Sequence, residues 1–204
     1  MSRILGISRH RLGIDGEGVT TLVCFHGCPL RCRYCLNPKC FDKDAKVTEL
    51  SPEELYKKIK IDDLYFKATG GGVTFGGGEP LLNSSFIKEF RELCGNSWKI
   101  NVETCLNVPA ENILEVADSI NSFFVDVKDT NTEIYRRYTG CDNALVFENL
   151  KRLINIKGSD SITVRLPLIK GYNTERDREK SELFVRELGI TRLDKFEYKI
   201  NKGL

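Results

Sequence analysis

No run of apolar residues in this chain approaches the roughly 20 needed to span a bilayer, so the sequence offers no membrane anchor. Its opening, MSRILGISRHRLG, turns polar and basic too early for a secretory leader. Neither charge sign dominates: 31 Lys and Arg face 29 Asp and Glu, a net of +2, and this balance points to neither nucleic acid nor an anionic membrane. Histidine is scarce, with only His10 and His26; the first shows no evident partner and the second reads as a loop residue. Internal repeats, low-complexity tracts and an interdomain linker are also missing. The expectation is a single domain over residues 1–204, cytoplasmic, with reduced thiols and a core that needs no disulfide staples.

Cysteine, by contrast, is concentrated. Four of the eight lie in FHGCPLRCRYCLNPKC, and Cys28, Cys32 and Cys35 are separated by three residues and then two. A structural zinc site takes four tetrahedral ligands, often as two distant pairs; Cys40 is available as a fourth ligand, but a second pair is missing. An iron-sulfur cluster accepts thiolates from one tight loop, and three of them on a cubane leave one iron open to a further ligand. Cluster, zinc and redox use all remain open on spacing alone, with the cluster ahead. The isolated Cys94, Cys105 and Cys141 read as small buried apolar residues.

Strand-like and helix-like segments alternate along the chain. Val19–Phe25, Gly72–Phe75, Ile100–Thr104, Ser122–Val127, Ile162–Leu166 and Lys195–Ile200 are short and rich in β-branched or aromatic residues. Ser51, Pro52 and Glu54 predict a capped helix start. Three apolar stripes predict core-facing helices: Phe86, Ile87, Phe90 and Leu93; Phe147, Leu150, Leu153 and Ile154; Leu183, Phe184 and Leu188. This alternation is that of an α/β fold with a parallel sheet, doubly wound or curved into a partial barrel, and either places active-site loops at the carboxyl ends of the strands. The cysteine loop, GGGEP, Thr104-Cys105 and Asp126 with Lys128 all fall at such ends, and would converge on one rim.

CPLRCRYC resembles the CxxxCxφC signature of radical S-adenosylmethionine enzymes, with Tyr34 in the aromatic position. The resemblance extends to the activating enzymes of glycyl radical enzymes, those similar to pyruvate formate-lyase activase. It rests on DGEGVTT, GGGVTFGGGEPLL, ETC, VDVKD, RYTG, NALVFENLKRL and VRLPLIKGYN, which together span most of the chain. It implies a partial (β/α)6 TIM-like barrel and a 4Fe-4S cluster on Cys28, Cys32 and Cys35. The open iron would bind S-adenosyl-L-methionine and cleave it to a 5′-deoxyadenosyl radical that takes a hydrogen from a partner's glycine.

By the same resemblance Gly77, Gly78 and Glu79 lie near the methionine amino group, Asp126 and Lys128 form the DxK motif, and Arg165 is the late-strand arginine near the cofactor. Glu103, Thr104 and Asp126 are candidates for a monovalent cation. Taken singly, these residues also read as a tight turn, loop-mouth carboxylates, a solvated lysine and an arginine paired with a nearby acid. The implied partners are a glycyl radical enzyme or other peptide substrate and an electron donor of the flavodoxin or ferredoxin type, with no nucleic acid and no membrane.

Departures from the family pattern are Glu17 in place of a proline and no arginine in Val19-Thr20-Thr21. The span from Cys35 to Ser51 is also too short for a ferredoxin-like insertion. In the family pattern a histidine-bearing segment follows the last strand; the expectation here is that this late cofactor contact is absent or replaced by Asn201. A radical enzyme acting on another peptide or a small molecule, and a non-catalytic iron-sulfur or zinc module, are the alternative readings.

Overall fold

The computed structural model describes residues 1–198, which divide into two compact units. The first comprises Met1–Cys28, Asn37–Thr104 and Val108–Phe124; the second comprises Pro29–Leu36, Cys105–Asn107 and the chain from Val125 onward. Among the described residues no helix is long and apolar enough to cross a membrane.

In the first unit the strand order is β3 (Thr48–Leu50), β1 (Ser2–Leu12), β2 (Val19–Phe25), β4 (Gly72–Gly77), β5 (Lys99–Thr104), then the start of β6 (Ser122–Asp126). β1 runs antiparallel to both β2 and β3, while β2, β4 and β5 are mutually parallel. VTTLVCF buries residues on both faces, as a central strand of a parallel sheet does. β1 lacks that signal. Only its first residues alternate buried and exposed, the basic remainder faces water, and its pairing with β2 shifts register twice.

Helix α1 (Pro52–Ile59) begins where predicted: the Ser51 hydroxyl accepts the Glu54 N–H at 3.2 Å, and the Glu54 carboxylate accepts the Ser51 N–H at 2.8 Å. α2 (Asp63–Thr69), α3 (Ser84–Cys94) and α4 (Ala110–Val116) complete the unit. Phe86, Ile87 and Phe90 enter the core as expected, but Leu93 does not; the smaller Cys94 takes the inward position at the end of α3. Phe90 packs edge-on against Phe75 with ring centroids 5.4 Å apart, and Phe25 stacks on Phe75 at 5.5 Å.

The second unit carries the end of β6, then α5 (Thr132–Thr139), α6 (Ala144–Lys157), β7 (Ile162–Leu168), α7 (Glu175–Glu187) and β8 (Arg192–Glu197). β7 and β8 are parallel, with Arg165 opposite Asp194. The stripe on α6 is centred on Val146, Leu150 and Leu153, leaving Phe147 and Ile154 half-buried. On α7 the expected register is wrong: Ser181 and Val185 face inward and Leu183 is 62% exposed. The Ser181 hydroxyl accepts the Thr130 N–H at 3.0 Å, so a polar tie turns this helix face towards the core. Cys94 and Cys105 are buried, whereas Cys141 is only half-buried. The strand read over Lys195–Ile200 starts earlier, at Arg192; Lys199, Ile200 and Asn201 lie outside the described residues.

Candidate functional site

Three adjacent parallel strands of the first unit carry its candidate residues at their carboxyl ends. Phe25 of β2 is in register with Gly77 of β4, and the chain leaves β2 through His26 and Gly27 to Cys28. The Gly78 N–H donates to the Phe25 carbonyl at 2.9 Å, and the Glu79 N–H donates to the Gly27 carbonyl at 2.8 Å. A Cβ on Gly78 would collide with the Gly27 carbonyl oxygen, and Gly77 has φ +87°. The glycines are thus required by the backbone leading into the cysteine loop itself, because only bare backbone packs this closely.

Glu79 is fully buried. Its Oε1 accepts the Thr104 hydroxyl at 2.7 Å and the Leu81 N–H at 3.0 Å, capping the 3-10 turn Pro80–Asn83. Thr104 ends β5, and the half-buried Glu103 before it lies beside Gly76, Arg11 and Cys24. Burial, reinforced by Glu103, pushes the Cys24 thiol up to about 11, so Cys24 stays protonated at neutral pH. His26 donates from its ring to the Asp42 carbonyl at 2.8 Å, which makes it a loop brace. His10 does have a partner: its Nε2 lies 3.0 Å from the buried Asp62 carboxylate.

In the second unit the segment Pro29–Leu36 is tethered to α5. The N–H groups of Arg31 and Arg33 donate to the Thr139 and Tyr138 carbonyls at 2.8 and 3.1 Å, and Cys35 N–H closes a turn on the Cys32 carbonyl at 3.2 Å. These bonds occupy carbonyls at the helix C-terminus that have no partner inside the helix. Tyr34 donates its hydroxyl to the Lys170 carbonyl at 3.3 Å, and its ring meets Tyr172 and Tyr138 edge-on at 5.6 and 6.1 Å. Cys28, Cys32 and Cys35 are all half-buried. Among the described residues no three Cys, His, Asp or Glu side chains are already gathered around a point where a metal ion would sit.

Lys128 is buried, with its ammonium 3.1 Å from the Asp126 carboxylate, 3.0 Å from the Tyr198 hydroxyl and 5.6 Å from the Tyr198 ring centroid. Burial opposes its charge, but Asp126, Tyr198 and Cys32 outweigh burial and hold the ammonium well above the ordinary lysine range. Arg165 lies within β7, its Nε 3.6 Å from Asp194 on β8 and its carbonyl accepting the Val127 N–H at 3.1 Å. The structure therefore joins Asp126 to Lys128, and Glu79 to Thr104, and gives Arg165 the neighbouring acid that the plainer reading proposed.

Several motif residues serve as latches. Asn173 of IKGYN donates to the Asp129 carboxylate of VDVKD and to the Pro167 carbonyl, both at 3.1 Å, while its own carbonyl accepts the Ile169 N–H at 2.6 Å. Asn143 donates to the carbonyls of Asp129 and Thr130, and Asn149 donates to that of Leu106 at 2.9 Å. Tyr198 and Tyr135 were missed in the sequence. Tyr198 sits in a segment readable only as strand, and Tyr135 carries no signal beyond its place two residues before RYTG.

Residues 22–183 match the family model of the Radical SAM superfamily. The chain is 29% identical to the pyruvate formate-lyase 2-activating enzyme of Escherichia coli (strain K12), over 91% of this chain and 73% of that protein. It is 30% identical to the pyruvate formate-lyase-activating enzyme of Staphylococcus aureus (strain USA300), over 80% of this chain and 67% of that protein. A crystallised domain of a pyruvate-formate lyase-activating enzyme from Bacteroides vulgatus superposes with a TM-score of 0.54 at 28% identity, covering 63% of this chain and 81% of that one. The chain belongs to the radical SAM superfamily and, within it, to the activating-enzyme family of these relatives. Its α/β fold is of the radical SAM type, and its cofactors are those of the superfamily, a 4Fe-4S cluster and S-adenosylmethionine.

Proposed function

We propose that this chain is a radical SAM activase whose substrate is the glycine loop of a glycyl radical enzyme. The observation that carries the reading is the alignment of the chain with activating enzymes over most of its length, with the cysteine loop inside the matched superfamily region. The donor set fits the cofactor: three half-buried cysteines follow one strand within eight residues, and soft thiolate ligands suit an iron-sulfur cluster.

In this reading Cys28, Cys32 and Cys35 hold the 4Fe-4S cluster, and Tyr34, Gly77, Gly78, Glu79, Asp126, Lys128 and Arg165 bind S-adenosylmethionine. Glu103, Thr104 and Asp126 take a monovalent cation, and residues 1–204 work as one domain. The bound cofactors supply the one-electron reduction and the homolysis that yields the 5′-deoxyadenosyl radical. The chain's own residues bind, orient and exclude water, and none is needed as acid or base. A flavodoxin or ferredoxin type protein supplies the electron.

The test is anaerobic. Cluster-loaded protein is reduced and mixed with S-adenosylmethionine and either a candidate partner or a peptide of its glycine loop, deuterated at the glycine α-carbon. A glycine-centred radical by electron paramagnetic resonance and deuterium in 5′-deoxyadenosine are expected. Deuterium transfer from a small metabolite, with none from peptide or partner, would overturn the assignment.

A further inference from the structure

Tyr135 is fully buried on α5, and its hydroxyl has no hydrogen-bond partner among the described residues. A buried hydroxyl without a partner costs about 1–3 kcal/mol, and phenylalanine would fill the same space without that cost. Such groups call for an explanation, and an absent ligand is one. The surroundings of Tyr135 point to what the ligand is. One turn further along α5, Thr139 donates its hydroxyl to the Tyr135 carbonyl at 2.8 Å, and the Tyr138 and Thr139 carbonyls hold Arg33 and Arg31 on either side of Cys32. The helix that bears Tyr135 is thus the same helix that fixes the Cys32 backbone.

The charged and titratable groups bearing on the phenol are Cys105, Lys128, Cys32 and Cys141; burial pushes it up, Lys128 opposes this, and the three thiols add to it. Of these thiols Cys141 donates its S–H to the Pro29 carbonyl at 3.6 Å, and Cys105 is buried at the end of ETC, outside the cysteine loop. Of the three, Cys32 alone belongs to the CxxxCxxC loop and would ligate the cluster. An anionic sulfur is a far better acceptor than a thiol.

We infer that Tyr135 is a positioning residue for the cluster, its hydroxyl donating a hydrogen bond to cluster sulfur on the Cys32 side. The inference rests on the reading of Cys28, Cys32 and Cys35 as cluster ligands. Hydrogen bonds to cluster sulfurs ease reduction, so Tyr135 raises the reduction potential of the centre without touching the substrate.

The experiment compares wild type, Tyr135→Phe and a remote control, Tyr56→Phe, each reconstituted anaerobically and each also studied without iron. Iron and sulfide analysis comes first. A wild type that takes up no cluster would overturn the cluster reading, whereas a loaded wild type leaves only the inference at stake. The Tyr135→Phe variant is expected to bind the cluster, to show a midpoint potential shifted negative in an EPR-monitored titration, and to be as stable as wild type, or more so, in its iron-free form. Tyr56→Phe should leave the midpoint unchanged. An unchanged midpoint in loaded Tyr135→Phe would overturn the inference, as it would if a buried water satisfies the phenol. Iron-free Tyr135→Phe that is destabilised or fails to fold would also overturn it, because the hydroxyl would then have a partner within the protein.

Discussion

The Thr104 hydroxyl donates to the buried Glu79 carboxylate at 2.7 Å, tying the end of β5 to the turn that follows β4. The same oxygen takes the Leu81 N–H, so Glu79 is a structural hub at the strand ends whatever else it binds. Thr104→Val keeps the shape and removes one donor to this carboxylate, which should destabilise the protein by about 1–3 kcal/mol. Thr104→Ser restores the hydroxyl and should recover most of the loss. Urea denaturation of the iron-free protein measures both; a neutral Thr104→Val would mean that this bond does not hold the turn.

Gly78 tests the neighbouring contact. Because an added Cβ meets the Gly27 carbonyl oxygen, and backbone cannot swing aside as a side chain can, Gly78→Ala must displace either β4's exit or the approach to Cys28. Overpacking of this kind costs about 1–3 kcal/mol, at times more. Cluster-loaded Gly78→Ala should also bind S-adenosylmethionine more weakly in calorimetry. Unchanged stability and unchanged binding together would show that the loop tolerates the methyl group.

These two contacts show how much of the site was legible in the sequence. GGGEP announced close backbone approach, but not that Gly27 is the neighbour or that Glu79 spends an oxygen on Thr104, since both depend on which strands lie side by side. β2, from Val19 to Phe25, and the Ser51–Glu54 capping box of α1 follow from local residue chemistry, and the structure has both where the sequence predicts them. β1 was not read, because its basic, water-facing residues conceal a strand that is held by pairing on both sides. Leu183 misled the assignment of α7 because periodicity cannot see that the Ser181 hydroxyl binds the Thr130 N–H. Tyr198 escaped notice because its contact with Lys128 spans 70 positions of sequence.

Asp62 gives a pH prediction. It is fully buried, and it accepts from Arg9 Nε at 2.8 Å and from the Thr21 hydroxyl at 2.9 Å, with the His10 ring at 3.0 Å. Burial alone would raise this carboxyl, but the bonds from Arg9 and Thr21 outweigh burial and hold it below its usual value. A depressed folded-state pKa stabilises the protein above the unfolded value of about 3.9 and is lost as pH falls through the folded value. Asp62→Asn should therefore cost about 1.5–3 kcal/mol at neutral pH, the range for hydrogen bonds to a charged group. The gap from wild type should stay level down to about pH 4 and narrow below it. Denaturant titrations across this range decide the matter, and a gap that grows on acidification would show that Asp62 is protonated in the fold.

The cysteines give the most direct test of the proposed cofactor site. Cys28, Cys32 and Cys35 share the loop that follows β2, whereas Cys24 lies within that strand as a protonated thiol and Cys40 is buried, its carbonyl engaged by the Gly27 N–H at 3.0 Å. Thiolates, not thiols, bind iron, so a half-buried Cys24 whose pKa stands near 11 is a poor substitute ligand. Cys24→Ala and Cys40→Ala should each retain a full cluster by iron and sulfide analysis. Cys40→Ala should lose on the order of 1 kcal/mol of stability through the space it vacates. Cys32→Ala should abolish the normal cluster signal in electron paramagnetic resonance while the iron-free protein still folds, because the Cys32 backbone bond and its neighbours' tethers to α5 do not involve the thiol. A normal cluster in Cys32→Ala, or its loss in Cys24→Ala, would reassign the ligands.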